Sequence, residues 1–245
     1  MKRLFINIIL LAVSMTAFGQ QFIGVKLNGG LSYIKNEYSL NFNVTQKFYP
    51  MLSGQGGLTY NYVFKNKLSI GTEILFMQIK GKNYLEYPSG NIYIGTAKAN
   101  GTATADNGYS HFTNFEHIYY VGLPVYIGYN YRRLNVNIGI QANLALAAVS
   151  KAEGQMYHEG KLYDWNDKED FLDGINRFNY GGRIGLFYKL SDKLSFETNY
   201  YYGLNGLELD KKAEEIMNTR IQQCTVGLRY NLFVSGRQNH NINTL

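Results

Sequence analysis

Eight times along this chain, large apolar residues alternate one for one with small or polar residues, at about residues 22–33, 55–64, 67–79, 115–130, 134–148, 177–190, 193–203 and 220–233. A period of two is the pattern of a strand with one greasy face. The connections alternate as well. Three are tight and polar, Lys65-Asn66-Lys67, Tyr131-Arg132-Arg133 and Ser191-Asp192-Lys193, while the other four, 34–54, 80–114, 149–176 and 204–219, are long. Short turns at one end and long loops at the other describe an up-and-down arrangement, and an even number of strands lets such a sheet close on itself. The pattern therefore predicts an all-β, eight-stranded antiparallel barrel. Composition agrees: 26 Gly, 22 Tyr and 14 Phe stand against 3 Pro and one Trp, a balance that favours strands over helices.

The placement of the greasy face decides what surrounds the barrel. Near 119–129 one side carries Tyr119, Val121, Leu123, Val125, Ile127 and Tyr129, and the other Tyr120, Gly122, Pro124, Tyr126 and Gly128. The next run sets Val136, Ile138, Ile140, Ala142, Leu144 and Leu146 against Asn135, Asn137, Gly139, Gln141 and Asn143. The last sets Cys224, Val226, Leu228, Tyr230 and Leu232 against Gln223, Thr225, Gly227, Arg229 and Asn231. A soluble barrel that binds an apolar ligand needs its bulky set inside and charge outside. Here the opposing set is rich in Gly and Asn, which suits a narrow polar interior, while the bulky set with Tyr at its ends suits lipid and two interfacial girdles. A barrel spanning an outer membrane, with short turns and termini in the periplasm and long loops outside, is the consequence.

The N-terminus fits export. Lys2-Arg3 precedes an apolar run from Leu4 to Phe18, with Ala17 and Gly19 at the spacing a signal peptidase accepts. The expected organisation is a signal peptide over 1–19, the barrel over 20–233 and a polar tail over 234–245. After Phe18 nothing is apolar for long enough to cross a bilayer as a helix. A single Cys excludes a disulfide framework. A formal charge of +6 with no block of Lys or Arg gives no reason to expect nucleic acid as a partner.

With these faces, Lys26, Glu73, Arg183, Glu197 and Arg229 all point into the barrel. Buried charges must be paired, and an eight-stranded lumen is just wide enough for its own side chains, so a salt-bridged plug is expected, with a narrow channel for small solutes as the alternative. Pro124 cannot donate a ladder hydrogen bond, and a closed barrel has no edge to hide the loss, so a bulge or a local interruption of pairing is expected there. Catalytic patterns are poor. Ser110, His111, His117 and His158 are the candidates at the outer rim, but neighbours on an extended chain point apart and no orienting third group is evident. The acidic run Asp164 to Asp170 has Lys168 and Glu169 where a helix-loop-helix calcium loop wants a ligand and a Gly, so no metal or other cofactor is expected. Trp165 in that run is a candidate loop contact for a partner. A short capped helix is expected over 210–217, and Cys224 reads as a small hydrophobe on the lipid face.

Several of these segments resemble a known family. Tyr119-Tyr120-Val121-Gly122-Leu123-Pro124-Val125-Tyr126-Ile127-Gly128-Tyr129 is similar to the Leu-Pro strand of PorT-like outer-membrane β-barrel proteins of Bacteroidetes. Gly139-Ile140, Gly185-Leu186-Phe187-Tyr188, Tyr200-Tyr201-Tyr202-Gly203-Leu204 and Gly227-Leu228-Arg229-Tyr230-Asn231-Leu232-Phe233 follow in that family's order. The resemblance implies an exported eight-stranded outer-membrane barrel without implying an activity. Such barrels usually end at their final aromatic, here Phe233, whereas this chain runs on to Leu245. The expected role is non-enzymatic: structural, adhesive or in assembly, exerted through surface loops. The expected partners are outer-membrane lipid and lipopolysaccharide, the barrel assembly machinery, and a protein met by the loops.

Overall fold

The computed structural model describes residues 19–38, 45–88, 93–94, 97–98, 109–158, 161–207 and 217–235. The expected signal peptide, apart from Gly19, and the tail beyond Ser235 lie outside them. So does the helix expected over 210–217, except for Met217, which opens a strand. In chain order the strands are β1 Gly19–Tyr38, β2 Thr45–Phe64, β3 Leu68–Pro88, β4 Tyr93–Ile94, β5 Ala97–Lys98, β6 Tyr109–Tyr131, β7 Leu134–His158, β8 Lys161–Asp170, β9 Phe178–Lys189, β10 Leu194–Gly203 and β11 Met217–Ser235. A single 3-10 turn, Leu172–Gly174, is the only helical element among the described residues. β4 and β5 form a two-residue ladder of their own.

The long strands pair in the order β6-β3-β2-β1-β11-β10-β9-β7, and β7 pairs back onto β6, so eight of them close a ring in which every neighbour is antiparallel. Closure is made by the terminal strands: β1 and β11 are in register from Gln21↔Ser235 to Tyr38↔Met217. β11 thus runs two residues past Phe233. At the short-turn end, Lys67 and Arg132 take positive φ of 70° and 54°. Each closes a tight connection that no longer segment would fit. The outward face is apolar apart from Thr72, from the Leu68↔Tyr129 rung to the Phe76↔Val121 rung and Tyr119 on β3 and β6. Ten residues at about 3.3 Å each, tilted by about 40°, give a band about 25 Å tall, which matches the hydrocarbon of an outer membrane.

Three expectations need correction. The long loops are in large part strand: β2, β3, β6 and β7 continue beyond the apolar band as a sheet, because their ladders still satisfy the backbone there. The acidic run Asp164–Asp170 is not a loop but most of β8, an added strand that pairs with β7 from Val149↔Asp170 to His158↔Lys161, above the point where β9 stops at Leu144↔Phe178. The interior is not polar throughout. Its outer half is packed with Ile34, Leu75, Met77, Ile79, Ile118, Tyr120, Ala145, Ala148 and Ile221.

Candidate functional site

The lumen is layered, and each layer follows from the inward residues of neighbouring strands. Nearest the short turns it is lined by small polar groups and by the buried Phe22, whose ring centroid lies 5.3 Å from the Lys189 ammonium. Asn135 donates to Ser69 Oγ at 3.0 Å and Asn137 to Asn135 Oδ1 at 3.3 Å.

The next layer holds the charges. Lys26 on β1, Glu73 on β3, Arg183 on β9, Glu197 on β10 and Arg229 on β11 meet in one cluster, with side chains essentially shielded from solvent. The Lys26 ammonium lies 2.9 Å from Glu73 Oε2 and 2.6 Å from Glu197 Oε1. Arg183 places Nη1 3.0 Å and Nη2 3.4 Å from the two oxygens of Glu73. Arg229 bridges both carboxylates, with Nε 3.0 Å from Glu197 Oε2 and Nη2 on Glu73 Oε1. Three cations therefore share two carboxylates, and the remaining hydrogen-bonding capacity is met by neutral groups. Asn28 donates to Glu197 at 2.6 Å, Asn199 donates to Glu197 at 3.1 Å and accepts from Arg183 at 2.6 Å, and Arg229 donates to Tyr126 Oη at 3.1 Å.

Aromatic rings wall the cluster. The Arg229 guanidinium stands 4.2 Å from the Phe187 ring centroid and that of Arg183 5.1 Å from Tyr126, and the two rings meet edge to face at 5.9 Å. Such cation–π contacts stabilise a guanidinium where water is absent. Room for Tyr126 comes from Gly71 and Gly139, its ladder partners on β3 and β7, where a Cβ would collide with the Tyr126 ring and backbone. Tyr126, Phe187, Asn28 and Asn199 were not singled out among the sequence candidates. A bulky ring between inward glycines was the available signal for Tyr126.

Beyond the charges lies a cavity of about 10 Å³, lined by Gln55, Gln141, Arg183, Asn199, Tyr201, Gln223 and Thr225. That is at the lower limit of room for a single water. The apolar layer follows and is capped by a segment that folds inward: Phe171 N donates to Ala148 O at 3.0 Å, Ala145 N to Arg177 O at 2.8 Å and Asn176 N to Leu207 O at 2.6 Å. Ile175 and Leu207 are buried in the apolar layer, with Phe171 and Leu172 packed against it. A sequence signal existed here too, since Ile74-Leu75-Phe76-Met77 is apolar on both faces of its strand.

The remaining candidates lie apart. Pro124 points inward, and the β3–β6 ladder lacks the two pairs between Thr72↔Val125 and Leu75↔Gly122 without changing register. Thr72 Oγ1 donates to the Pro124 carbonyl at 2.9 Å. The irregularities that shift register are at Ile23/Gly24, Pro50/Gly54 and Tyr119/Tyr120. Ser110 is buried inward and accepts from Tyr157 N at 2.9 Å, while His111 sits on the opposite side of the strand, so the two do not converge. The side chain of His158 lies outside the described residues. Trp165 is on β8, all of whose residues are exposed. Among the described residues no three His, Cys, Asp or Glu side chains gather as a metal site.

A closed ring of strands with a lipid-facing coat and an occupied lumen defines a transmembrane β-barrel. The chain matches the family described as outer membrane protein beta-barrel domain over residues 18–208 and belongs to it, so its place is the outer membrane. Solved structures similar to it include Neisserial surface protein A, 12% identical with a TM-score of 0.39, over 87% of this chain and 99% of that one. Ail, the attachment invasion locus protein of Yersinia pestis, is 11% identical with a TM-score of 0.39, over 87% and 98%. OprG of Pseudomonas aeruginosa is 12% identical with a TM-score of 0.33, over 91% and 99%. No curated protein matches the chain.

Proposed function

We propose that this protein is a non-conducting, non-enzymatic outer-membrane barrel that acts through its extracellular face, as an adhesion or assembly component. The single observation behind this reading is the doubly closed lumen: a shared ion-pair layer, then a capped apolar layer, with a cavity of about 10 Å³ among the described residues between them. A permeating solute would have to break both, and separating buried ion pairs costs several kcal/mol. What is left for function is the sheet that β2, β3, β6, β7 and β8 raise above the membrane, a rigid scaffold for display. On it the edge strand β8 carries Tyr163 and Trp165, a chemistry suited to anchoring a protein partner. Within its family we place the chain with PorT-like barrels, on the Tyr119–Tyr129 strand. We further propose that residues 1–19 are removed on export and that the barrel assembly machinery inserts the chain.

Planar-bilayer recording of the purified barrel tests the closed lumen. No steady current is expected from the native protein. Unitary conductance that is lost on substituting Arg183 by a bulkier group would establish the narrow-pore reading instead.

A further inference from the structure

Just above the apolar band, the outward face of β2, β3, β6 and β7 changes from grease to positive charge. The last rung of the band pairs Gln78 with Tyr119, whose hydroxyl accepts from Gln78 Nε2 at 2.8 Å. One rung further out Lys80 lies opposite His117. On the next, Lys82 lies between Tyr49 on β2 and Phe115 on β6, its ammonium 5.6 Å and 5.5 Å from the two ring centroids. Lys47 follows on β2 opposite Tyr84, and Lys151 on β7 opposite Phe115. With strands about 4.8 Å apart, these groups cover a patch about 14 Å wide. With the adjoining β8, four acids share the face: Glu153 pairs with Lys151, Glu86 accepts from Tyr84 Oη at 3.2 Å further from the membrane, and Asp170 and Asp164 lie opposite Val149 and Gln155. Over β2, β3 and β6, Lys47, Lys80 and Lys82 stand with Glu86, so that part of the patch is positive. Partial burial, and then the neighbouring Lys80, hold the His117 imidazole below its ordinary 6.5.

We infer that this patch binds the phosphate-bearing headgroup of the glycolipid that forms the outer leaflet. Height is the first ground: a band about 25 Å tall that ends at Tyr119 puts Lys80, Lys82 and Lys151 at the level of headgroups. The second is complementarity, because four lysines on one face match multiply charged phosphates. The third is the interleaving of Tyr49, Phe115 and Tyr119, whose rings sit against acyl chains and sugar while the ammonium groups reach the phosphates. The site gives chemical content to the surface role proposed above, and it rests on that reading only for which end of the barrel faces outward.

Titrating the full-length barrel in detergent with purified lipopolysaccharide tests the assignment. A lysine close to an anionic membrane surface contributes about fivefold in affinity, so Lys47→Gln, Lys80→Gln and Lys82→Gln together are expected to weaken binding about a hundredfold. Lys65→Gln with Lys67→Gln, at the periplasmic turns, is expected to leave it unchanged. Heat-modifiable migration reports folding; if the triple variant is not folded, Lys80→Gln alone is expected to cost about fivefold. Equal affinity of native and folded patch variants overturns the inference. So does undiminished binding of dephosphorylated glycolipid, or competition by inorganic phosphate at concentrations equal to the glycolipid's, which would make the ligand free phosphate. None of these readouts depends on conductance, so an open lumen would sink the closed-barrel reading and leave the lipid site standing.

Discussion

Replacing Glu73 by Gln keeps the shape of the side chain and removes the charge on which Lys26, Arg183 and Arg229 all converge. Lys26 and Arg229 would then keep Glu197, while Arg183, which has Glu73 as its carboxylate partner, would keep only neutral contacts, Asn199 and the Tyr126 ring. Leaving a buried charge uncompensated costs about 3–5 kcal/mol. Urea unfolding of the barrel in lipid vesicles measures it: at an m-value of about 2 kcal/mol/M, a loss of about 4 kcal/mol lowers the midpoint by about 2 M. The double variant Glu73→Gln/Arg183→Met removes the orphaned guanidinium as well and is expected to recover about half of the loss. A single variant costing under about 1 kcal/mol would mean that water reaches these groups, as it does at exposed ion pairs. The charge layer would then be neither dry nor closed.

The apolar layer makes a separate prediction. Leu75→Ala, at a site with 0% exposure, is expected to cost about 3 kcal/mol, and Leu27→Ala, 75% exposed on the lipid side, clearly less in the same unfolding assay. Gly57→Ala would drive a Cβ into the Ile74 carbonyl and is expected to destabilise the β2–β3 ladder by over about 2 kcal/mol, whereas Gly182→Ala meets nothing within 4 Å and is expected to be nearly neutral. The Cys224 thiol, exposed on the lipid face, should react with a membrane-soluble maleimide in vesicles and resist a charged, impermeant one until detergent replaces the lipid. Lys67→Gly should raise stability by about 1 kcal/mol, because it removes a side chain from a φ of 70°.

The face of each strand was legible in the sequence because alternation is a local property. Leu123, Ile127, Ile138, Ile140, Val226 and Leu228 all point to lipid, and Lys26, Glu73, Arg183, Glu197 and Arg229 all point inward. Strands that turn their aromatic side to lipid have no other way to satisfy their backbone in hydrocarbon than a closed ring. The extent of the strands was not legible, because above the membrane alternation mixes polar residues on both faces. The run from Lys161 to Asp170 is a strand only because the edge of β7 is open where β9 ends.

What the sequence determined alone is therefore the barrel, its inside and outside, and which charges enter the lumen. Only the tertiary structure decided which of them meet. Glu73 takes Lys26 from 47 residues away, Arg183 from 110 and Arg229 from 156, and those meetings depend on the stagger of the closed ladder, above all the β1–β11 register. The same holds for the apolar layer and its cap, where Ile175 and Leu207 are buried beside Leu75 and Ile118. Period-two patterning assigns a residue to a side, but the contents of a lumen are set by the height at which eight tilted strands bring their inward residues together.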